Sequence, residues 1–277
     1  MKFRALAAGG VLAGVLALSG ASSAQTPGFS FVAVGDFGVG GFSERATGMA
    51  MKRYAARTGA DLLATIGDND YTESPRRFRA NWQQSFGWAR RSGLEVAGTL
   101  GNHDYLVGRG RYEYGLLGMP GAYYTRTIGD AQLFFLNSNL VSARQTAWLE
   151  DQLASSTATW KIALFHHPPY TCGLHAGNLA VARSWVPLFE RYGVQLVLSG
   201  HDHNYQRFRA RNGVTYVVDG AGGAGLYSLR RCPSSYPRRA RARVVHGFLA
   251  ITVGEDRLDG YAVDRSGVVR DRFRLLP

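Results

Sequence analysis

The sequence predicts an α/β fold: a four-layer α-β-β-α sandwich of two stacked mixed sheets flanked by helices. Three observations point there. Up to His203, short apolar runs (FSFVAV, DLLATI, EVAGTL, KIALF, VQLVL) alternate with helix-like segments, the signature of buried strands in βαβ units. Beyond His203 the chain changes to closely spaced short strands, which suits an antiparallel run. Each of the five apolar runs also leads directly into a cluster of polar side chains.

The elements follow in order. After FSFVAV, Ser43 to Arg57 reads as a helix with Ser43 as N-cap. DLLATI is followed by a helix from about Arg76 to Arg90, preceded by Pro75, and then by EVAGTL. Gly108 to Pro120 is glycine-rich and irregular. AYYTRTI and QLFFLN form a hairpin around Gly129-Asp130. Helices from about Ala143 to Leu153 and Leu179 to Tyr192 lead into KIALF and VQLVL. The closing strands are YQRFRA, VTYVVD, GFLAITV, LDGYAV and VVRDRFRL.

Residues 1–24 form a separate unit. Lys2 and Arg4 precede an apolar run from Ala5 to Leu18, and Ser22-Ser23-Ala24 offers small residues for cleavage, as in a secretory signal peptide. The competing reading, a membrane anchor, meets a run short for a bilayer span. The expected mature chain, residues 25–277, is one exported domain, periplasmic or extracellular, without a membrane span. Its net charge falls from +12 to about +10 with Lys2 and Arg4 gone.

Nearly all the basic residues are arginine, the lysines being Lys2, Lys52 and Lys161. Arginine suits phosphate and carboxylate oxygens, and a solvated basic surface explains it equally well. The densest patch, Arg230, Arg231, Arg238, Arg239, Arg241 and Arg243, surrounds a Pro/Ser segment read as a mobile exposed loop. It lacks the interleaved aromatics of a single-strand nucleic-acid groove. The two cysteines, Cys172 and Cys232, are expected to pair in an oxidising compartment, two free thiols being the alternative.

The polar clusters are Asp36 in GDFG, Asp68 and Tyr71 in GDNDY, Asn102 and His103 in GNHD, His166 in LFHHPP, and His201 and His203 in GHDH. Alone, GDFG reads as a turn, and GHDH equally as two loop histidines or as metal ligands. Together, behind five strands whose carboxyl ends are expected on one sheet edge, they read as a converging two-metal site. Carboxylate, phenolate and imidazole suit Fe(III), while a carboxylate, an amide oxygen and two imidazoles suit divalent Zn, Mn or Fe. One carboxylate must bridge cations about 3.5–4 Å apart, a spacing used for displacement at phosphorus.

In this order the motifs resemble the signature of the calcineurin-like metallophosphoesterases. Tyr71, three residues after Asp68, resembles the mark of their purple acid phosphatase branch. The likeness continues through WLEDQLA, VQLVLSGHDHNYQRF and VTYVVDGAGG, and the size is similar to the small single-domain, tartrate-resistant type. The resemblance implies Fe(III) at Asp36, Asp68, Tyr71 and His203, and a divalent ion (Fe, Zn or Mn) at Asp68, Asn102, His166 and His201, with Asp68 bridging. The resemblance also implies His166 rather than His167, because the family's ligand is the histidine that closes the apolar strand, two residues before proline. His103 and His175 match histidines near the substrate, with Asp104 orienting His103 or capping a turn.

The implied activity is hydrolysis of phosphate monoesters at acidic pH by a metal-bound hydroxide, with His103 or His175 assisting the leaving group. Alternatives are a phosphodiesterase or nucleotidase using the same site and, more remotely, a non-catalytic polyanion binder. The expected partners are small-molecule or protein phosphate esters, with no specific nucleic acid, and the chain is expected to be a monomer. The pocket walls are expected from Gly108–Pro120, Tyr170–Gly177 and Gly220–Arg243.

Overall fold

Residues 28–277 are described by the structure, a computed structural model; the expected signal segment, residues 1–24, lies outside them. Strand β1 (Phe29–Val34) leads into helix α1 (Phe42–Thr58), followed by β2 (Leu62–Ile66), α2 (Pro75–Ser85), α3 (Trp88–Arg91), β3 (Glu95–Thr99) and α4 (Tyr114–Leu117). Next come β4 (Tyr124–Ile128), β5 (Ala131–Phe135), α5 (Ala143–Ser155), β6 (Trp160–Leu164), α6 (Leu179–Ser184), α7 (Val186–Arg191) and β7 (Leu196–Ser199). The chain closes with β8 (Tyr205–Phe208), β9 (Thr215–Asp219), β10 (Arg239–Arg243), β11 (Gly247–Val253), β12 (Leu258–Asp264) and β13 (Val269–Leu275).

These strands form two mixed sheets, ordered β13-β12-β11-β1-β2-β3 and β10-β8-β9-β7-β6-β5-β4. The first holds β1, β2 and β3 in parallel and adds β11, β12 and β13 antiparallel. The second has β5, β6, β7 and β9 parallel and the others antiparallel. The sandwich expected from the sequence is therefore present, with one correction. The five donor-bearing strands are divided between both sheets, β1, β2 and β3 in one and β6 and β7 in the other, rather than lying along one edge.

Alternation along β6 shows how the layers are held. Trp160, Ile162 and Leu164 pack into the core shared by the two sheets, while Ala163 and Phe165 face the layer of Leu149, Leu153, Trp185 and Phe189 from the helices. Each such large apolar side chain stabilises the fold by roughly 1.5–3 kcal/mol through burial. Where the sheets meet laterally the contact is polar: Tyr205 and Arg207 of β8 donate to the buried Asp271 carboxylate of β13 at 2.8 and 2.7 Å.

Several local expectations need correction. Helix α1 is capped by Gly41 without a side-chain bond, and the Ser43 hydroxyl instead accepts from Arg265 at 2.7 Å. The single helix expected over Arg76–Arg90 breaks at Phe86-Gly87, where Phe86 turns inward onto Phe37, ring centroids 4.6 Å apart. Ser74 caps α2 and Pro75 opens it. The helix expected over Leu179–Tyr192 is likewise two, because Pro187 at the start of α7 lacks an N–H. Part of the arginine-rich segment, read as a loop, is strand β10, paired with β8 at the sheet edge. The hairpin around Gly129-Asp130 and the Cys172–Cys232 disulfide are both present.

Candidate metal centre

Each donor loop leaves its strand through a sharp turn. Asp36, Asp68 and His201 all adopt left-handed backbone angles, with φ of 57°, 50° and 73°. For non-glycine residues this costs on the order of 1–2 kcal/mol each and persists only where the surroundings enforce it. Cross-loop hydrogen bonds do so: Asp36 N–H to the Gly67 carbonyl at 3.0 Å, Phe37 N–H to the Asp68 carbonyl at 3.2 Å, and His201 N–H to the Asp36 carboxylate at 2.9 Å. Glycine permits the crowding. A Cβ at Gly101 would stand 2.1 Å from Asp68 Oδ1, and one at Gly200 2.3 Å from Asp36 Oδ2.

Two groups of donors result, sharing Asp68. In the first, the Tyr71 hydroxyl lies 3.4 Å from Asp36 Oδ1, 3.1 Å from Asp68 Oδ2 and 3.0 Å from His203 Nε2. His203 Nε2 is itself 3.3 Å from Asp36 Oδ1, and its Nδ1 faces the Gly225 carbonyl at 2.6 Å. In the second, His166 Nε2 lies 3.4 Å from Asp68 Oδ2, 3.1 Å from Asn102 Oδ1 and 3.2 Å from His201 Nδ1. The Ile66 carbonyl faces His166 Nδ1 at 3.1 Å, which orients the ring. The structure thus brings together all seven side chains singled out as ligands.

The chemistry of this donor set fits two cations. Asp36 and Asp68 are almost wholly buried, and their ion-pair partners among the described residues are only histidines. Burial, then Asp36 and Asp68, push the Tyr71 phenol far above its usual value. A nearby cation of high charge reverses that preference and favours the phenolate. Burial lowers the His166 imidazole, but Asp68 and Asp36 outweigh it and hold it at about 9. Its neighbour His201 is pushed down to about 2 by burial and by His166. Without cations, then, the His166 ring and the Tyr71 phenol each carry a proton that ligation must remove. Asp36, Asp68, Tyr71 and His203 can hold one ion, and Asp68, Asn102, His166 and His201 the other.

His103 and His175 each lie against a ring of the donor cluster. The His103 ring lies 4.3 Å from that of Tyr71, and the His175 ring 4.2 Å from that of His201. Asp104 does not orient His103. Its fully buried carboxylate accepts from the N–H groups of Asn69 (2.8 Å), Asp70 (2.9 Å) and Gly101 (2.7 Å), and from Asn69 Nδ2 (2.9 Å). It ties the Asp68 loop to the Asn102 loop. His167 lies close enough to share a cation with His166 and His201. Ser138 engages its Nδ1 at 3.0 Å, however, whereas His166 meets the oxygen donors.

Two contributors were missed in the sequence. Asp202, inside GHDH, accepts from the Thr171 hydroxyl and from the N–H groups of Leu174 and His175 at 2.9 and 3.1 Å, fixing the His175 loop. Its position in the motif was a usable signal. Tyr227 stacks on His203 with centroids 4.0 Å apart, and nothing in its surrounding sequence announces that.

The calcineurin-like phosphoesterase family profile matches residues 29–205. The chain belongs to this family and is a metallophosphoesterase, a hydrolase similar to the purple acid phosphatases. Mouse tartrate-resistant acid phosphatase type 5 is 28% identical over 282 residues, covering 86% of this chain and 84% of that protein. Purple acid phosphatase PPD1 of yellow lupin superposes with a TM-score of 0.74 at 19% identity, over 91% of this chain and 54% of the lupin chain. GAP50, the anchor in the inner membrane complex of Plasmodium, gives 0.75 at 18% identity, over 91% and 89%. At such identities the two superpositions speak for the fold alone.

Proposed function

We propose that the chain is an exported acid phosphatase hydrolysing phosphate monoesters at acidic pH. Asp36, Asp68, Tyr71 and His203 would hold Fe(III), and Asp68, Asn102, His166 and His201 a divalent Fe, Zn or Mn ion. The observation that carries this reading is the double membership of Asp68, whose Oδ2 faces Tyr71 at 3.1 Å and His166 at 3.4 Å. Two cations held by these residues would supply the charge that lowers the pKa of a bound water and neutralises phosphoryl oxygens.

The remaining work falls to the chain. His103 stands against Tyr71 and His175 against His201, both beside the donor cluster. Either ring, when protonated, can donate a hydrogen bond to a phosphoryl oxygen or a proton to the leaving alkoxide. A requirement for imidazolium confines activity to the acid side. Asp202 keeps His175 in place by accepting its N–H. The Cys172–Cys232 disulfide supports export, because such bonds persist in oxidising compartments.

Hydrolysis of p-nitrophenyl phosphate and bis(p-nitrophenyl) phosphate across pH tests the reading. The expected result is an acidic optimum, at least tenfold preference for the monoester, and a loss of about a thousandfold in Asn102→Ala. A preference for the diester would replace the monoesterase reading with that of a diesterase. For export, N-terminal sequencing of the protein from the periplasm or medium should begin at Gln25; full-length protein retained in the cytoplasm contradicts it.

A further inference from the structure

A cleft of about 420 Å³ lies between the segment that follows His103 and the segment that follows β5, and it plays no part in the chemistry described so far. Tyr105, Arg109, Arg111, Tyr123, Asn137 and Arg144 are among its walls, and among the described residues no Asp or Glu lines it. Tyr105 lies two residues beyond His103, and its hydroxyl accepts from Asn137 Nδ2. Asn137 adjoins Ser138, the partner of His167, and Asn139 donates to the Leu100 carbonyl at 2.9 Å, just ahead of Asn102. The cleft and the metal centre therefore share the two loops that separate them.

Three guanidinium groups on one concave surface without an opposing carboxylate repel one another, and bound anionic oxygen relieves that repulsion. The backbone also holds Arg109 at a conformational cost. Gly108, Arg109 and Gly110 are consecutively left-handed, with φ of 55°, 56° and 66°, and for Arg109 that conformation is unfavourable. The Asn137 loop is fixed by Gln145, which accepts from Asn137 N–H at 2.8 Å and donates to its carbonyl at 3.0 Å. Arginine's planar fork matches phosphate oxygens in pairs, and tyrosine hydroxyls extend the same recognition.

We propose that Arg109, Arg111 and Arg144 form a subsite for a second phosphoryl group, so that the preferred substrates are monoesters carrying two phosphates. The proposal rests on the phosphatase reading of the metal centre, whose reaction is unchanged by it. The subsite binds the phosphate that is not cleaved.

Fructose 1,6-bisphosphate and fructose 6-phosphate differ by that one group and serve as probes. In the metal-loaded protein carrying His103→Ala and His175→Ala, which slows turnover and keeps all seven donor side chains, calorimetry should show the bisphosphate binding at least tenfold more tightly. In a variant that also carries Arg109→Gln, Arg111→Gln and Arg144→Gln, the two sugars should bind alike. A second triple variant, Arg53→Gln, Arg57→Gln and Arg91→Gln, should keep the difference, which separates a local subsite from overall positive charge. In the otherwise native enzyme, the cleft substitutions should remove the preference through KM and leave fructose 6-phosphate turnover within twofold. Equal binding of the two sugars, or a difference lost equally in both triple variants, overturns the subsite. Arginine-dependent binding without hydrolysis of either sugar upholds the subsite and overturns the phosphatase reading instead.

Discussion

The Tyr71 hydroxyl and His203 Nε2 stand 3.0 Å apart although 132 positions separate them in the chain. Tyr71 follows β2 of one sheet and His203 follows β7 of the other, so this contact joins the two halves of the sandwich at the metal centre. With iron bound, the phenolate would give a charge-transfer band in the visible range. Tyr71→Phe keeps the ring against His103 but removes the oxygen. The iron-loaded variant is expected to be colourless and about 10–100-fold less active, as read by its visible spectrum and turnover. An unchanged band would remove Tyr71 from the ligand set.

Cation binding should release protons. His166 is held up at about 9 and the Tyr71 phenol well above its usual value, so both carry protons at pH 7 in the metal-free chain. Ligation needs both removed. Loading the stripped protein at pH 7 in weak buffer is expected to release about two protons per chain, followed with an indicator dye. Affinity should accordingly fall as pH falls.

Asp202 acts through the loop it holds. Asp202→Ala frees the N–H groups of Leu174 and His175 and is expected to lower kcat/KM about 10–100-fold. Metal content should be unchanged, because both Asp202 oxygens are engaged by Thr171, Leu174 and His175 and by none of the donors. Elemental analysis beside kinetics separates this from loss of the centre.

The Asp271 carboxylate receives Tyr205 and Arg207 from the opposite sheet, and despite the burial that opposes it, these hydrogen bonds hold it below the usual range. A group whose folded pKa is depressed stabilises the fold above its unfolded pKa, and that stability is lost as pH falls through the folded value. Asp271→Asn should cost about 2–3 kcal/mol at pH 7 by urea denaturation. The difference from the native protein should shrink as pH falls below about 4.

The donor clusters were legible because each is local: a glycine-flanked motif directly behind a strand-like run, as at Asp36, Asp68 and His201. Their division between two sheets was not, since strand order depends on pairings such as β1 with β11 that no local pattern encodes. Asp104 was misread for a related reason. Apart from the Asn69 amide, its partners are backbone N–H groups, at Asn69, Asp70 and Gly101, which carry no sequence signature. The breaks at Phe86 and Pro187 differ in kind. Pro187 announces itself by its missing N–H, whereas Phe86 ends a helix because a buried ring needs a place against Phe37. Strand β10 was obscured by its arginines, whose charge suits an exposed edge as well as a loop.

The central claim is that Asp68 belongs to two ions at once, and metal content measures it directly. The purified mature protein should hold two transition-metal ions per chain, and Asp68→Ala, folded by circular dichroism, should retain fewer than one. Two ions retained by the variant, or none held by the native chain after loading with iron and zinc, would contradict the account.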